Sequence, residues 1–114
     1  MIRDWSNFIA GRVALVTGSG GGVGRAIAIQ MARAGAELWV NDLHLDRAEK
    51  VCGEIEAEQL VARPVVADVT DLGAVAGMLA ETGPVDILVN NAGIPPEGIK
   101  IGRASCRERV YVLV

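Results

Sequence analysis

In its 114 residues the sequence has little of the side chains that carry chemistry singly: one histidine, two cysteines, one tyrosine and one phenylalanine. His44 falls in a predicted loop, where a solvent-exposed residue is expected rather than a metal ligand or a base. Cys52, in a predicted helix, and Cys106, near the end, form neither a metal-ligand spacing nor a C-x-x-C pair. No metal site is expected, and a reduced compartment is the default. The net charge of −3 comes without a basic patch, which argues against nucleic acid and anionic membrane as partners. No apolar run approaches the length of a membrane span, and Met1-Ile2-Arg3-Asp4-Trp5 has no apolar region behind its arginine to make a secretory leader. These absences predict a cytoplasmic protein.

What is abundant is apolar residues, 51% of the chain, and glycine, 14 residues, which together allow one domain with a core. The glycines concentrate in Thr17-Gly18-Ser19-Gly20-Gly21-Gly22-Val23-Gly24. Before this stretch, Val13-Ala14-Leu15-Val16 reads as a short strand buried on both faces. After it, Val23, Ala26, Ile27, Met31 and Ala34 recur at helical spacing up to Gly35, a C-terminal stop. Strand, glycine turn and helix in that order make a phosphate site. Glycine permits the reversal and leaves no Cβ between the backbone N–H groups and a phosphate oxygen. The helix N-terminus adds free N–H groups and a positive end. The spacing differs from the common G-x-G-x-x-G fingerprint, and a tight ligand-free loop is the alternative reading of the glycines alone.

The rest of the chain repeats the alternation. Glu37–Asn41 is a predicted second strand ending at Asp42, 18 positions past Gly24. An acidic side chain near that spacing accepts hydrogen bonds from the ribose hydroxyls of a dinucleotide and repels a 2′-phosphate. Asp46 and Glu49 resemble a capping box with Leu45 as a staple, opening a helix to about Gln59 whose apolar face is Ala48, Val51, Cys52 and Ile55. Arg63–Ala67 is the third strand, followed by Asp68-Val69. Thr70 or Asp71 caps a third helix carrying Leu72, Val75, Ala76 and Leu79 and stopped by Gly83-Pro84. Val85–Val89 is the fourth strand, ending in Asn90-Asn91-Ala92-Gly93. Trp5, Phe8 and Ile9 are spaced to cap the sheet edge. The resulting βαβαβαβ order calls for an α/β fold, a parallel sheet with helices on both faces. Gly18, Asp42, Asp68 and Asn90 then all fall just beyond strand carboxyl ends, where open α/β sheets bind ligands.

On these residues the chain resembles the short-chain dehydrogenase/reductase family, in the subgroup marked by T-G-x-x-x-G-x-G and N-N-A-G. Thr17 to Gly24 fits the first motif and Asn90 to Gly93 the second, while Asp68-Val69 matches the family's adenine-contacting pair. The resemblance covers about residues 10 to 99 and implies a Rossmann-like doubly wound sheet of order 3-2-1-4, truncated after the fourth strand. It implies that Gly18, Ser19, Gly20, Gly22, Val23 and Gly24 wrap the cofactor's adenosine ribose, pyrophosphate and nicotinamide side. Asp42 and Leu43 would meet the adenosine ribose, Asp68 and Val69 the adenine, and Asn90, Ala92 and Gly93 the ribose and pyrophosphate. Asn91 or its neighbour would tie strands together. Phosphorylated-cofactor members often carry a basic residue in the turn or just after the second strand. Gly20, Gly21 and Asp42 stand there, so NAD is expected over NADP.

The same resemblance exposes what is missing. The family transfers hydride with a tyrosine and lysine in Y-x-x-x-K and a serine that orients the carbonyl or alcohol. No residue can be given those roles: Tyr111 stands three residues from the C-terminus with no lysine four positions on. The long apolar helix expected after N-N-A-G is also absent, and residues 100–114 carry +3 against −6 for the rest. Ile101 to Val110 is the translation of ATC GGA AGA GCG TCG TGT AGG GAA AGA GTG, which resembles a short-read sequencing adapter. Lys100 fits an adapter beginning AG, and Tyr111–Val114 fits a sample index followed by adapter running to a TAG stop. Residues 1–99 are therefore expected to be the dinucleotide-binding part and 100–114 a non-native tail, with a natural basic terminus or a truncated paralogue as rivals. The expected function is the cofactor half of an alcohol or carbonyl oxidoreductase, acting in the intact protein on a small molecule and as a homo-oligomer, with this fragment inactive. The alternatives are a dinucleotide-sensing module without catalysis, or a non-functional truncation product. Without a continuation, the fourth strand would be an open edge.

Overall fold

The computed structural model describes residues 8–92 and 111–113. Four strands, β1 (Val13–Val16), β2 (Glu37–Asp42), β3 (Ala62–Val66) and β4 (Ile87–Asn90), alternate with α1 (Gly22–Arg33), α2 (Leu45–Glu56) and α3 (Leu72–Thr82). They form a parallel sheet in the order β3-β2-β1-β4, the Rossmann-like arrangement expected. The expectation of an open edge is corrected: β5 (Tyr111–Leu113) pairs antiparallel with β4, opposing Leu113 to Leu88 and Tyr111 to Asn90. An edge strand presents unpaired N–H and C=O groups, and an extended segment laid beside it satisfies them.

Side chains alternate across the sheet. Ala14, Val16, Leu38 and Val40 pack with Ala28 and Ala32 of α1 and Val51 and Ile55 of α2. On the opposite face Leu15, Val65 and Ala67 meet Met78 of α3. The α2 face is as read from the sequence, with Ala48, Val51, Cys52 and Ile55 all buried. The other two helices are rotated from expectation. On α1 the small residues Gly24, Ala28 and Ala32 face the sheet, Ile27 and Met31 are only partly buried, and Val23 is 64% exposed. Residues without bulk let the helix approach the strands closely, so size overrides apolar periodicity. On α3, Met78 is buried with Ala74 and Val75 beside it, leaving Leu72 85% exposed. A helix apolar on most sides gives periodicity nothing to select.

Helix ends follow local chemistry. Asp71 caps α3 by accepting the N–H groups of Gly73 (2.9 Å) and Ala74 (3.3 Å). The expected capping box of α2 is absent, because Asp46 lies inside the first turn and His44, exposed as expected, is the N-cap without a side-chain bond. Leu45 is 50% exposed and staples nothing. Gly35, at φ 103°, ends α1: its N–H donates to Ala32 and that of Ala36 to Met31. The first described residues run along this end, where Ile9 N–H donates to the Ala34 carbonyl. Ile9 packs on the core, Phe8 is 69% exposed, and Trp5 lies outside the described residues.

Candidate functional site

The glycine stretch leaves β1 at the carboxyl edge of the sheet and is held there mainly by Asn41, which is 1% exposed near the end of β2. Asn41 Oδ1 accepts the Gly18 N–H at 3.2 Å, and its backbone carbonyl accepts that of Ser19 at 2.8 Å. Its side-chain Nδ2 donates onward to the carbonyls of Val65 (3.2 Å) and Ala67 (3.3 Å). One buried amide thus locks the ends of three strands together. Ser19 is fully buried and donates its hydroxyl to the Val16 carbonyl at 2.7 Å, so this side chain shapes the turn from within. Sequence reasoning passed over Asn41. Its signal is a polar amide set inside an apolar strand beside Asp42.

The N-N-A-G segment is bolted to the same turn. Thr17 Oγ1 accepts the N–H groups of Asn91 (2.9 Å) and Ala92 (3.0 Å) and donates to Asn90 Oδ1 (3.3 Å). Asn91 Nδ2 donates back to the carbonyls of Thr17 and Gly18, each at 3.3 Å. These bonds make Asn91 a strand tie. They also explain two glycines. A Cβ on Gly18 would stand 2.9 Å from the Ala92 backbone, and one on Gly24 would meet the Gly18 carbonyl and sit 2.6 Å from Asn91 Nδ2.

Next to these close approaches the turn opens outward. Gly22 has φ +59° with nothing near its Cβ position, and it begins α1, whose N-cap Gly21 supplies no side-chain bond. The first-turn N–H groups of a helix have no intrahelical acceptor. No acidic side chain stands in that turn, so its positive end faces the opening. Against the turn at Gly20, Asp42 is 7% exposed and accepts the Gly20 N–H on Oδ1 (3.2 Å) and the His44 N–H on Oδ2 (3.0 Å). Leu43 beside it is 54% exposed. Farther along the edge, Asp68 Oδ1 accepts the hydroxyl (2.6 Å) and N–H (2.9 Å) of Thr70. The Thr70 hydroxyl bond chiefly holds the Asp68 carboxyl below its usual range.

The structure therefore brings Gly18, Ser19, Gly20, Gly22, Val23, Gly24, Asp42, Leu43, Asp68, Val69, Asn90 and Ala92 to one edge of the sheet. Gly93 lies outside the described residues. Within the set, Ser19 and Gly24 are buried supports, while Gly22, Val23, Leu43 and Asn90 are exposed. The arrangement offers a Cβ-free cradle at a helix N-terminus with a carboxylate beside it, suited to a pyrophosphate flanked by a sugar diol.

Known proteins match this pattern. The profile of the short chain dehydrogenase family matches residues 12–109, running past the point where the motif resemblance stops. Versicolorin reductase 1 of Aspergillus parasiticus is 39% identical over 117 residues, covering 90% of this chain and 45% of that protein. Gluconate 5-dehydrogenase of Gluconobacter oxydans is 42% identical over 90 residues, 75% of this chain and 35% of the enzyme. A crystal structure of a 3-oxoacyl-[acyl-carrier protein] reductase from Brucella melitensis, with bound NAD, superposes with a TM-score of 0.75 at 35% identity. That match covers 81% of this chain and 36% of the reductase. The chain spans less than half the length of these relatives.

Proposed function

The chain belongs to the short-chain dehydrogenase family, and on that premise we propose that residues 1–99 are the cofactor-binding part of an NAD-dependent oxidoreductase acting on alcohol or carbonyl groups. The observation that carries this reading is the open turn at Gly22, where unpartnered helix N–H groups face the same edge as the Asp42 carboxylate. Gly20, Gly22 and Val23 would hold the pyrophosphate side. Asp42 retains lone pairs for a ribose diol, because each carboxylate oxygen accepts more than one hydrogen bond. Leu43, Asp68 and Val69 would line the adenosine end, with Asn90, Ala92 and Gly93 across from it. When bound, the nicotinamide supplies a site that accepts or gives up hydride. The residues of this chain bind and orient, and among the described residues none is placed to move the substrate's proton. The negative Asp42 carboxylate favours NAD over NADP by repelling a 2′-phosphate.

The family's proton-transferring tyrosine, lysine and serine belong to sequence beyond residue 99 of the parent protein, and the 114-residue chain is inactive as it stands. Residues 100–114 are a translated adapter. Support for a missing continuation comes from α3, where Leu72 and Leu79 are 85% and 49% exposed, an apolar face that further chain would cover. The parent acts on a small molecule, as a homo-oligomer in the cytoplasm, without nucleic acid or membrane. Among the described residues no helix is long and apolar enough to cross a membrane. Calorimetric titration of the folded chain with NAD+ and NADP+ tests the binding reading. Heat with NAD+ and less affinity for NADP+ is expected, and the absence of heat from cooperatively melting protein would count against it.

A further inference from the structure

Three arginines of the first two helices form ion pairs, and they differ in kind. Arg25 reaches Glu54 and Arg33 reaches Glu58 through hydrogen bonds of 2.7 to 2.8 Å, binding α1 to α2 and to the turn that follows it. Arg47 instead stands in the first turn of α2, with Nε 3.5 Å from Asp42 Oδ2. At that distance the contact is Coulombic and leaves the guanidinium donors unspent.

Its position is the informative part. The Arg47 guanidinium lies across the glycine turn, with Nη2 2.9 Å from where a Cβ on Gly21 would stand, and its side chain is 53% exposed. Asp42 does not depend on this arginine for its orientation, because the N–H groups of Gly20 and His44 already hold both carboxylate oxygens. The pair is therefore an arginine kept beside the ribose-binding carboxylate and partly neutralised by it. The sequence reading looked for a cation within the turn or directly after β2. The helical turn between His44 and Arg47 instead returns the cation to that place from five positions past Asp42.

We propose that Arg47 is a specificity-determining residue of the adenosine end: a latent ligand for a 2′-phosphate, masked by Asp42. This inference rests on the dinucleotide reading of the site. While the Asp42 carboxylate is charged, it repels a phosphate and occupies the arginine's field. With that charge removed, the guanidinium is free to take a phosphate oxygen pair, the geometry it suits best.

The test is a double-mutant cycle on the 114-residue chain, with affinities for NAD+ and NADP+ measured by calorimetry at low and at physiological salt. Asp42→Asn removes the charge and keeps an acceptor for the Gly20 N–H, while giving up the acceptor for the His44 N–H. It is expected to raise NADP+ affinity relative to NAD+ by about tenfold or more, an effect that weakens with salt. Adding Arg47→Ala to Asp42→Asn should abolish that gain, and Arg47→Lys should keep part of it. A gain that survives in the double variant, or no gain in Asp42→Asn while NAD+ still binds, overturns the role of Arg47. Failure of every variant and of the parent sequence to bind either nucleotide overturns the dinucleotide reading itself.

Discussion

The side-chain amide of Asn91 fills the space beside Gly24, donating from Nδ2 to the Gly18 carbonyl at 3.3 Å where a Cβ on residue 24 would come within 2.6 Å of it. Gly24 is therefore a packing requirement, whereas Gly22 is open around its Cβ position and would face the cofactor on the proposed reading. Gly24→Ala is expected to destabilise the fold by about 1–3 kcal/mol, because neither the carbonyl nor the tied amide can give way cheaply. Gly22→Ala costs about 1–2 kcal/mol for its left-handed backbone and weakens NAD+ binding beyond what that loss explains. Urea melts and calorimetric titrations of the two variants separate these effects.

Thr17 supports the opposite side of the same joint. Its hydroxyl is the acceptor for two backbone N–H groups, those of Asn91 and Ala92. Thr17→Val keeps the shape and leaves both donors unsatisfied, so a loss of about 1–3 kcal/mol or more is expected. Thr17→Ser should recover most of it. Equal losses for the two variants in denaturant titrations would contradict the role given to the hydroxyl.

The strand–helix alternation, the sheet edge at which the glycine turn falls and the α2 core face were legible because they rest on strong local signals: an uninterrupted apolar β1, a glycine cluster, and Ala48, Val51, Cys52 and Ile55 at clean helical spacing; the strand order came from the family resemblance. The roles inside the site were less legible. Asn41 is a polar residue whose side-chain bonds run to backbone atoms beyond its own strand, and no local pattern announces such partners, while Ser19 turns inward onto the Val16 carbonyl three residues back. Arg47 escaped for a related reason, since a loop and a helical turn carry it back to the glycine turn. The faces of α1 and α3 were misread because Ala28 and Ala32 are buried for their smallness, and α3 offers apolar residues on several sides.

Gln59 is the one non-glycine among the described residues with positive φ, at 67°. It ends α2 in the place a glycine ordinarily takes: its N–H donates to Glu56 and that of Leu60 to Ile55. Gln59→Gly is expected to stabilise the fold by about 0.5–1 kcal/mol, as relief of the left-handed strain outweighs the greater freedom of the unfolded chain. A rise of a few degrees in Tm checks it.

Cys52 is 5% exposed, and burial, aided by Glu56 and Glu49, pushes its thiol up to about 11. In a Cys106→Ser background, a thiol reagent at pH 8 should label Cys52 only at the rate at which the domain unfolds. Labelling as fast as that of a free thiol would contradict its burial.

Hydrogen bonds from Arg25 and Arg33 hold the carboxyls of Glu54 and Glu58 below their ordinary value of 4.5. A depressed carboxyl contributes stability that is complete above the unfolded value and is lost as pH falls through the folded one. Tm should therefore fall on acidification below about pH 4.5. The fall should be smaller when both arginines are replaced by alanine. Both pairs are exposed, so the effect should also diminish in salt.

The central claim, that this chain is the cofactor-binding part of a longer oxidoreductase, is tested most directly by long-read sequencing of the source DNA across codon 99. The account predicts an open frame that continues past Ile99 into an apolar helix, a serine and a Y-x-x-x-K pair, with no codons for Lys100 to Val114. DNA that encodes Lys100 to Val114 and then stops would contradict it.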